Sequence, residues 1–255
     1  MEYAAQVAVQ LNTARADVSR ELRNLWLSLA SEVSPKLKKP NAQAFLLQGV
    51  CRRLKCIQRC MDSIFEVFPV DRHELLTDEE LSDIEIHLHS FLIHCHGMAD
   101  NLAWTYILER TITLNRQDVG LFLKETQKVL PPEVRDYLTT ERLKAWHIKY
   151  AKNYRDAQAH RIPPYLPPFV QTPEHEQRSK EREAKIAEAI REGDLDRALE
   201  LSGEERTEGS ICLAVADSFS GEDRGEPVLP HAQLMVDART VMEITKKIGP
   251  HLAVD

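Results

Sequence analysis

The chain has 255 residues, 43% of them hydrophobic, and carries 33 Lys and Arg against 40 Asp and Glu for a formal net charge of −7. That length can bury a real core in one large or two small domains, and the net negative charge argues against a generic nucleic-acid coat protein. No apolar run reaches the roughly 18 residues of a membrane-spanning helix, and Met1-Glu2-Tyr3 lacks the basic and apolar regions of a signal peptide, so a cytoplasmic protein without a membrane partner is expected.

Along the chain, Val7, Leu11, Ala14, Val18, Leu22, Leu25 and Leu29 keep helical spacing and predict a helix over about residues 2 to 31, ended by Pro35 and Pro40. Leu47, Val50, Leu54, Ile57, Met61, Ile64 and Phe68 predict a second helix near 42 to 68. Leu81, Ile84, Leu88, Phe91, Cys95, Met98 and Leu102 predict a third near 78 to 110. A shorter helix is expected near Gln117 to Leu130, stopped by Pro131 and Pro132. Another should run from about Thr140, as N-cap, to about Ala159.

The chain then changes character. Pro163 to Pro173 holds five prolines and reads as extended. Glu174 to Arg191 is a highly charged helix, and Gly193-Asp194 turns into a short helix around Leu195 to Leu201. Ile211 to Ala216 and Val228 to Val236 read as strands of a small hairpin, followed by a helix from about Ala238 to Ile248. The expected fold class is mainly α. An antiparallel helical bundle over 1–162 is followed by a connector and charged insertion over 163–209, then a hairpin and helix over 210–255 packed on the bundle.

Charge is uneven along this order. From Ser34 to Met61 there is no Asp or Glu, yet there are Lys36, Lys38, Lys39, Arg52, Arg53, Lys55 and Arg59. From Glu141 to Arg161 six basic residues face two acidic ones. Such runs are most often solvated helix faces, but a local basic groove on an acidic protein also suits RNA.

The chemistry-bearing stretch is Tyr154-Arg155-Asp156-Ala157-Gln158-Ala159-His160-Arg161-Ile162-Pro163-Pro164-Tyr165-Leu166-Pro167-Pro168. An arginine and a histidine, with four residues between them, stand where a helix meets a proline stop. An Arg-to-His spacing of four to six intervening residues also occurs at Arg142–His147 and Arg224–His231. In the middle copy Asp156 directly follows the arginine. A guanidinium holds phosphate with forked donors, and an imidazole moves protons near neutral pH.

This pattern resembles the signature of the HEPN superfamily of small helical domains. The strings AHRIPPYLPP and Asp100-Asn101-Leu102-Ala103-Trp104 are similar to a stand-alone subgroup of it. The resemblance covers roughly the first two thirds of the chain as an arrangement of helices. It implies a metal-independent endoribonuclease, a toxin or defence effector, with Arg155 stabilising phosphate, His160 transferring protons and Asp156 orienting one of them. It also implies RNA as substrate, a homodimer that places two Arg-His pairs in one cleft, and an antitoxin or other regulatory protein as partner. Lys149, Lys152 and Arg161 are expected to border the cleft, and Tyr165 to stack on a base or touch phosphate. On an ideal helix Arg155 and His160 are about 140° apart, so one chain alone converges them poorly.

Other readings compete. Arg155 would cap the helix end and His160 would anchor the proline segment in a purely structural role. The whole chain would then be a non-catalytic helical nucleotide-binding or protein-interaction module. His89, His96 and Asp100 share a helix face that a metal could use, but no HExxH or di-iron motif accompanies them; buried polar contacts for His94 and Asp100 are the plainer expectation. Cys51, Cys56 and Cys60 lack zinc-ligand spacing, and no Walker loop, GxGxxG or GxSxG is present. No metal or cofactor is expected.

Overall fold

In the computed structural model, which describes residues 3–167, 173–205 and 228–254, the apolar stripes of the sequence become helices. Helix α1 (Ala5–Ser28) buries Leu11, Val18 and Leu22, and continues into a wider π turn at Leu29–Val33 before Pro35 breaks it. Helix α2 (Pro40–Ala44) starts on a proline, whose missing N–H costs nothing in a first turn. A π segment at Phe45–Cys51 joins it without interruption to helix α3 (Arg52–Val67). Helix α4 (Asp78–Glu109) is the longest. Thr77 caps it by accepting from the Glu80 N–H at 3.2 Å, while the Glu80 carboxylate accepts from the Thr77 N–H at 2.9 Å.

Four helices carry the core. Helix α3 packs along α4, α1 packs on α3, and α11 (Pro230–Ile248) packs on α1, α3 and α4. Leu22, Leu46, Leu54, Ile57, Met61, Ile64, Phe68, Phe91, Met98 and Leu102 are almost fully enclosed. Each such side chain contributes roughly 1.5–3 kcal/mol on burial, which is what holds helices of modest intrinsic propensity in place. Leu234, Met235, Ala238, Val241, Met242, Ile244 and Ile248 of α11 belong to the same continuous core.

Several elements differ from the sequence expectation. The region near Gln117 to Leu130 holds a short 3₁₀ turn (Arg116–Asp118), a turn over 120–123 in which the Leu123 N–H donates to the Gly120 carbonyl at 2.9 Å, and helix α5 (Lys124–Val129). Gly120 lets this turn pack close on α4: a Cβ there would lie 2.9 Å from Asp100 Oδ1. Pro132, read as a stop, begins helix α6 (Pro132–Leu138). Thr140 precedes helix α7 (Glu141–Trp146) but makes no side-chain cap, because its hydroxyl donates to the Tyr137 carbonyl at 2.8 Å. The strand expected over Val228 to Val236 is a correction: Pro230 opens α11, and the residues after it follow the same helical stripe as the rest of that helix. Its expected partner strand, Ile211 to Ala216, lies outside the described residues.

Helix α7 runs through a π segment (His147–Lys152) into helix α8 (Asn153–His160), and Arg161 leaves the helix in extended geometry. Trp146 fixes the near end of this composite helix by donating from Nε1 to Asp237 of α11 at 2.8 Å. At the far end, the Gln158 side chain donates to the His89 carbonyl of α4 at 3.4 Å, and His89 Nε2 meets the Pro164 carbonyl at 2.7 Å. Helices α9 (Pro173–Glu192) and α10 (Leu195–Glu205) pack on each other around a turn at Gly193, whose φ of +79° suits glycine.

Candidate functional site

The π segment is the local feature that shapes the site. A π turn adds a residue to a helical turn and widens it, and such bulges recur where side chains must be re-aimed. Here it turns His147 inward against Phe122, ring over ring with centroids 4.0 Å apart and planes 11° apart. His96 of α4 lies beyond, 6.0 Å from the His147 centroid at 28°. The two imidazoles and Phe122 therefore form one stacked column between α4 and the α7–α8 helix.

Arg155 reaches the same place from α8. Its charge acts on His96, His147 and Asp100. Its Nε is 3.1 Å from Asp156 Oδ1 but not aligned for a hydrogen bond, so the buried Nε has no hydrogen-bond partner. Asp156 accepts from Lys152 Nζ at 2.6 Å. Burial works to raise the Asp156 carboxyl, but the Lys152 hydrogen bond and the Arg155 charge outweigh it and hold it below the usual carboxylate range.

Burial pushes His96 down to about 4, and the positive field of Arg155 adds to this against the opposing pull of Asp156. His147 is likewise pushed down to about 4 by burial, then by His96, Lys152 and Arg155. Both imidazoles are neutral at pH 7, so each offers one acceptor and one donor nitrogen. Asp100, 3.8 Å from His96 Nδ1, is pushed up by burial and pulled back by Arg155 and Arg53.

His160 lies elsewhere. It is exposed at the last position of α8, one face round from Arg155, and because α8 is regular between them the two do not converge within the chain. Lys152, Asn153, Asp156, His160 and Arg161 line an open groove of about 620 Å³ with Ile148 as its apolar wall. Arg161 donates to the Asn153 side chain at 2.7 Å and to its carbonyl at 3.0 Å, which fixes the groove's lip. Lys149 and Tyr165 do not line it: Lys149 Nζ sits 5.5 Å over the Tyr150 ring, and Tyr165 is part-exposed beyond the helix end. Asp156 is the residue shared by the Arg155 side and the His160 groove.

The other Arg-to-His spacings resolve differently. Arg142 is paired with Glu243 of α11 at 2.6 Å, while its histidine, His147, belongs to the stacked column. His231 is fully buried, with Nε2 at 2.6 Å from the Phe68 carbonyl and its ring among Tyr3, Phe65 and Phe68; Arg224 lies outside the described residues. Among the described residues no group of three or more His, Cys, Asp or Glu is placed to hold a metal ion, and Cys51, Cys56, Cys60 and Cys95 are free thiols.

Sequence reasoning missed His147 and Phe122 as neighbours of Arg155, and weighed His96 and Asp100 only as metal ligands or core contacts. The available signal was the density of His94, His96, Asp100 and Asn101 on one helix, too much polarity for a plain bundle core.

Compared with known proteins, the chain matches no protein-family profile, no curated protein and no solved structure. No helix among the described residues is long and apolar enough to cross a membrane.

Proposed function

We propose that the protein is a metal-independent endoribonuclease of HEPN type, a toxin or defence effector held in check by an antitoxin or other regulatory protein. The observation that carries this reading is Arg155: a part-buried guanidinium whose Nε has no hydrogen-bond partner, one residue from a basic groove that ends on an exposed histidine. In the reaction, the ribose 2′-OH gives its proton to an imidazole and its oxygen attacks phosphorus. The bond to the 5′ oxygen breaks, and that oxygen takes a proton from a second acid, leaving a 2′,3′-cyclic phosphate. Arg155 neutralises the charge gathering on the phosphoryl oxygens, and His160 moves the protons. Lys152 and Arg161 steer the backbone along the groove.

One chain supplies one exposed His160 and turns it away from its own Arg155. A homodimer that faces two α8 ends across a cleft supplies the second histidine and closes the gap between the two roles. Light scattering at micromolar concentration is expected to give about twice the chain mass of 29.2 kDa; a monomer would remove the shared cleft.

The decisive measurement is cleavage of RNA without added metal, beside melting temperature, on the same variants. His160→Ala should lower the rate by ~10²–10⁴ with no change in melting temperature, because the side chain is exposed. Wild type and His160→Ala cleaving equally would remove the catalytic assignment.

A second reading has its own support. Arg155 lies between α8 and the Asp100, His96 and His147 group, where a cation also serves to pin two helices together. On that reading the chain is a non-catalytic helical module. Arg155→Ala then lowers the melting temperature, and no RNA is cut by any variant.

A further inference from the structure

The structure has a second concavity, of about 500 Å³, between the π segment after α2, the start of α3, and His94 and Asn101 of α4. Its walls combine Arg52 and Arg53 with Gln48, Asn101 and His94, and Ala44, Phe45 and Cys56 add apolar surface. No carboxylate lines it, although the protein as a whole carries a net charge of −7. The same segment, Ser34 to Met61, is the one without any Asp or Glu.

The floor is held in place. Arg53 Nε donates to Asn101 Oδ1 at 2.6 Å, and its Nη1 meets His94 Nδ1 at 3.2 Å. Two glycines admit this arrangement. A Cβ on Gly97 would lie 2.6 Å from the Arg53 guanidinium carbon, and one on Gly49 would lie 2.8 Å from the Asn101 amide carbon. Arg53 is thus locked by Asn101 and His94, while its Nη2 makes no hydrogen bond among the described residues. Burial and the Arg53 charge push His94 down from its ordinary value, so it meets the guanidinium as a neutral ring. Arg52 is exposed at the rim, with only a long 3.5 Å contact to Gln48 Oε1. Phe45 is stacked on Trp104 behind the wall, with centroids 5.6 Å apart and planes 28° apart, which fixes its ring.

We propose that this pocket binds a phosphate monoester dianion that carries a flat, uncharged body. Asp100 acts on Arg53 from outside the lining, but two guanidinium groups with no carboxylate in the lining match a dianion better than a monoanion. Gln48 and Asn101 add neutral polar groups, and the fixed Phe45 ring gives a planar group an apolar surface. The pocket uses none of the residues assigned to RNA cleavage, so the proposal goes beyond that reading and does not rest on it. The monoester comes either from a free organic phosphate or from the phosphorylated end of an RNA.

The test is calorimetric titration of the full chain with phenyl phosphate at pH 7.5, where a monoester with a second pKa of about 6 is a dianion. Binding is expected, with benzoate, a flat monoanion, at least about tenfold weaker. Arg53→Gln should abolish binding, but it also removes a structural hydrogen bond. The second variant is therefore Gln48→Glu, at an exposed rim position, which sets a negative charge in the pocket beside Arg52; it should weaken phenyl phosphate at least about tenfold with an unchanged melting temperature. No binding by wild type, benzoate binding as tightly as phenyl phosphate, or undiminished binding by Gln48→Glu would each overturn the proposal. A 5′-phosphorylated RNA trinucleotide separates the sources: competition with phenyl phosphate assigns an RNA end, and failure to compete assigns a free organic phosphate.

Discussion

Asp237 is a carboxyl group enclosed at 3% exposure, accepting from Trp146 Nε1 and Gln233 Nε2, both at 2.8 Å. Burial pushes it up to about 7, against the pull of those two donors. An unfolded aspartate gives up its proton near pH ~3.9, so between there and about 7 the folded state binds more protons. Stability from this residue is therefore greatest in acid, falls as pH rises through that window, and levels off above it. Asp237→Asn keeps an oxygen acceptor and removes the titration. Calorimetry should show the variant gaining on wild type as pH rises from about 5 to about 8; a constant difference in melting temperature would contradict the assignment. The histidines act in the opposite sense. His96, His147 and His231, each pushed down to about 4 mainly by burial, withdraw stability as pH falls from about 6.5 towards that value. At this scale the sequence marked Arg155, Asp156 and His160 by their spacing together with their place at a proline-stopped helix end. It named His147 only as the partner of Arg142 and did not mark Phe122; the column these two form with His96 depends on how three separate segments meet.

Single helices were the most legible part of the chain. The three-four apolar spacing located α1, the continuous run from α2 through α3, and α4 to within a few residues, because a buried stripe is dictated by the period of the backbone itself. The π segments at Phe45–Cys51 and His147–Lys152 left no comparable mark. A widened turn changes hydrogen bonding without demanding a particular residue type, so the apolar pattern runs through it. Pro40 and Pro132 were read only as stops, and Pro230 was passed over inside an expected strand; all three start helices, since a first-turn position has no use for the missing N–H. The start of α4 gives a direct check at this scale. Arg72 grips the Glu80 carboxylate at 2.8 Å through both Nη atoms while Glu80 also serves the Thr77 cap. These bonds draw Glu80 down to about 2, the Arg72 hydrogen bond contributing most. Thr77→Ala should cost about 1 kcal/mol in chemical denaturation, as loss of an N-cap usually does. No measurable loss would mean that Arg72 alone holds the turn.

For the whole molecule, composition and periodicity led to a mainly helical protein, and the described residues have that character. The C-terminal hairpin did not follow, because Pro230 suits a first helical turn and Leu234, Met235 and Ala238 begin the buried stripe of α11, which the strand reading of Val228 to Val236 overlooked. The two halves of the site sit on separate faces of α8, with Arg155 turned to α4 and His160 to the open groove. That separation is what makes the dimer a condition of the proposed chemistry.

The pairing of α1 with α11 has a consequence for how the protein comes into being. Tyr3 meets His231 at 3.3 Å, and Glu21 meets Lys246 at 3.0 Å, so segments more than two hundred residues apart are side by side. On the ribosome, where synthesis runs at about 5–20 residues per second, α1, α3 and α4 emerge with one flank of their shared core uncovered for roughly 7 to 28 seconds. Closure waits for α11. Such late sealing raises contact order, slows folding relative to a bundle of sequential neighbours, and leaves apolar surface open to aggregation until the last helix arrives.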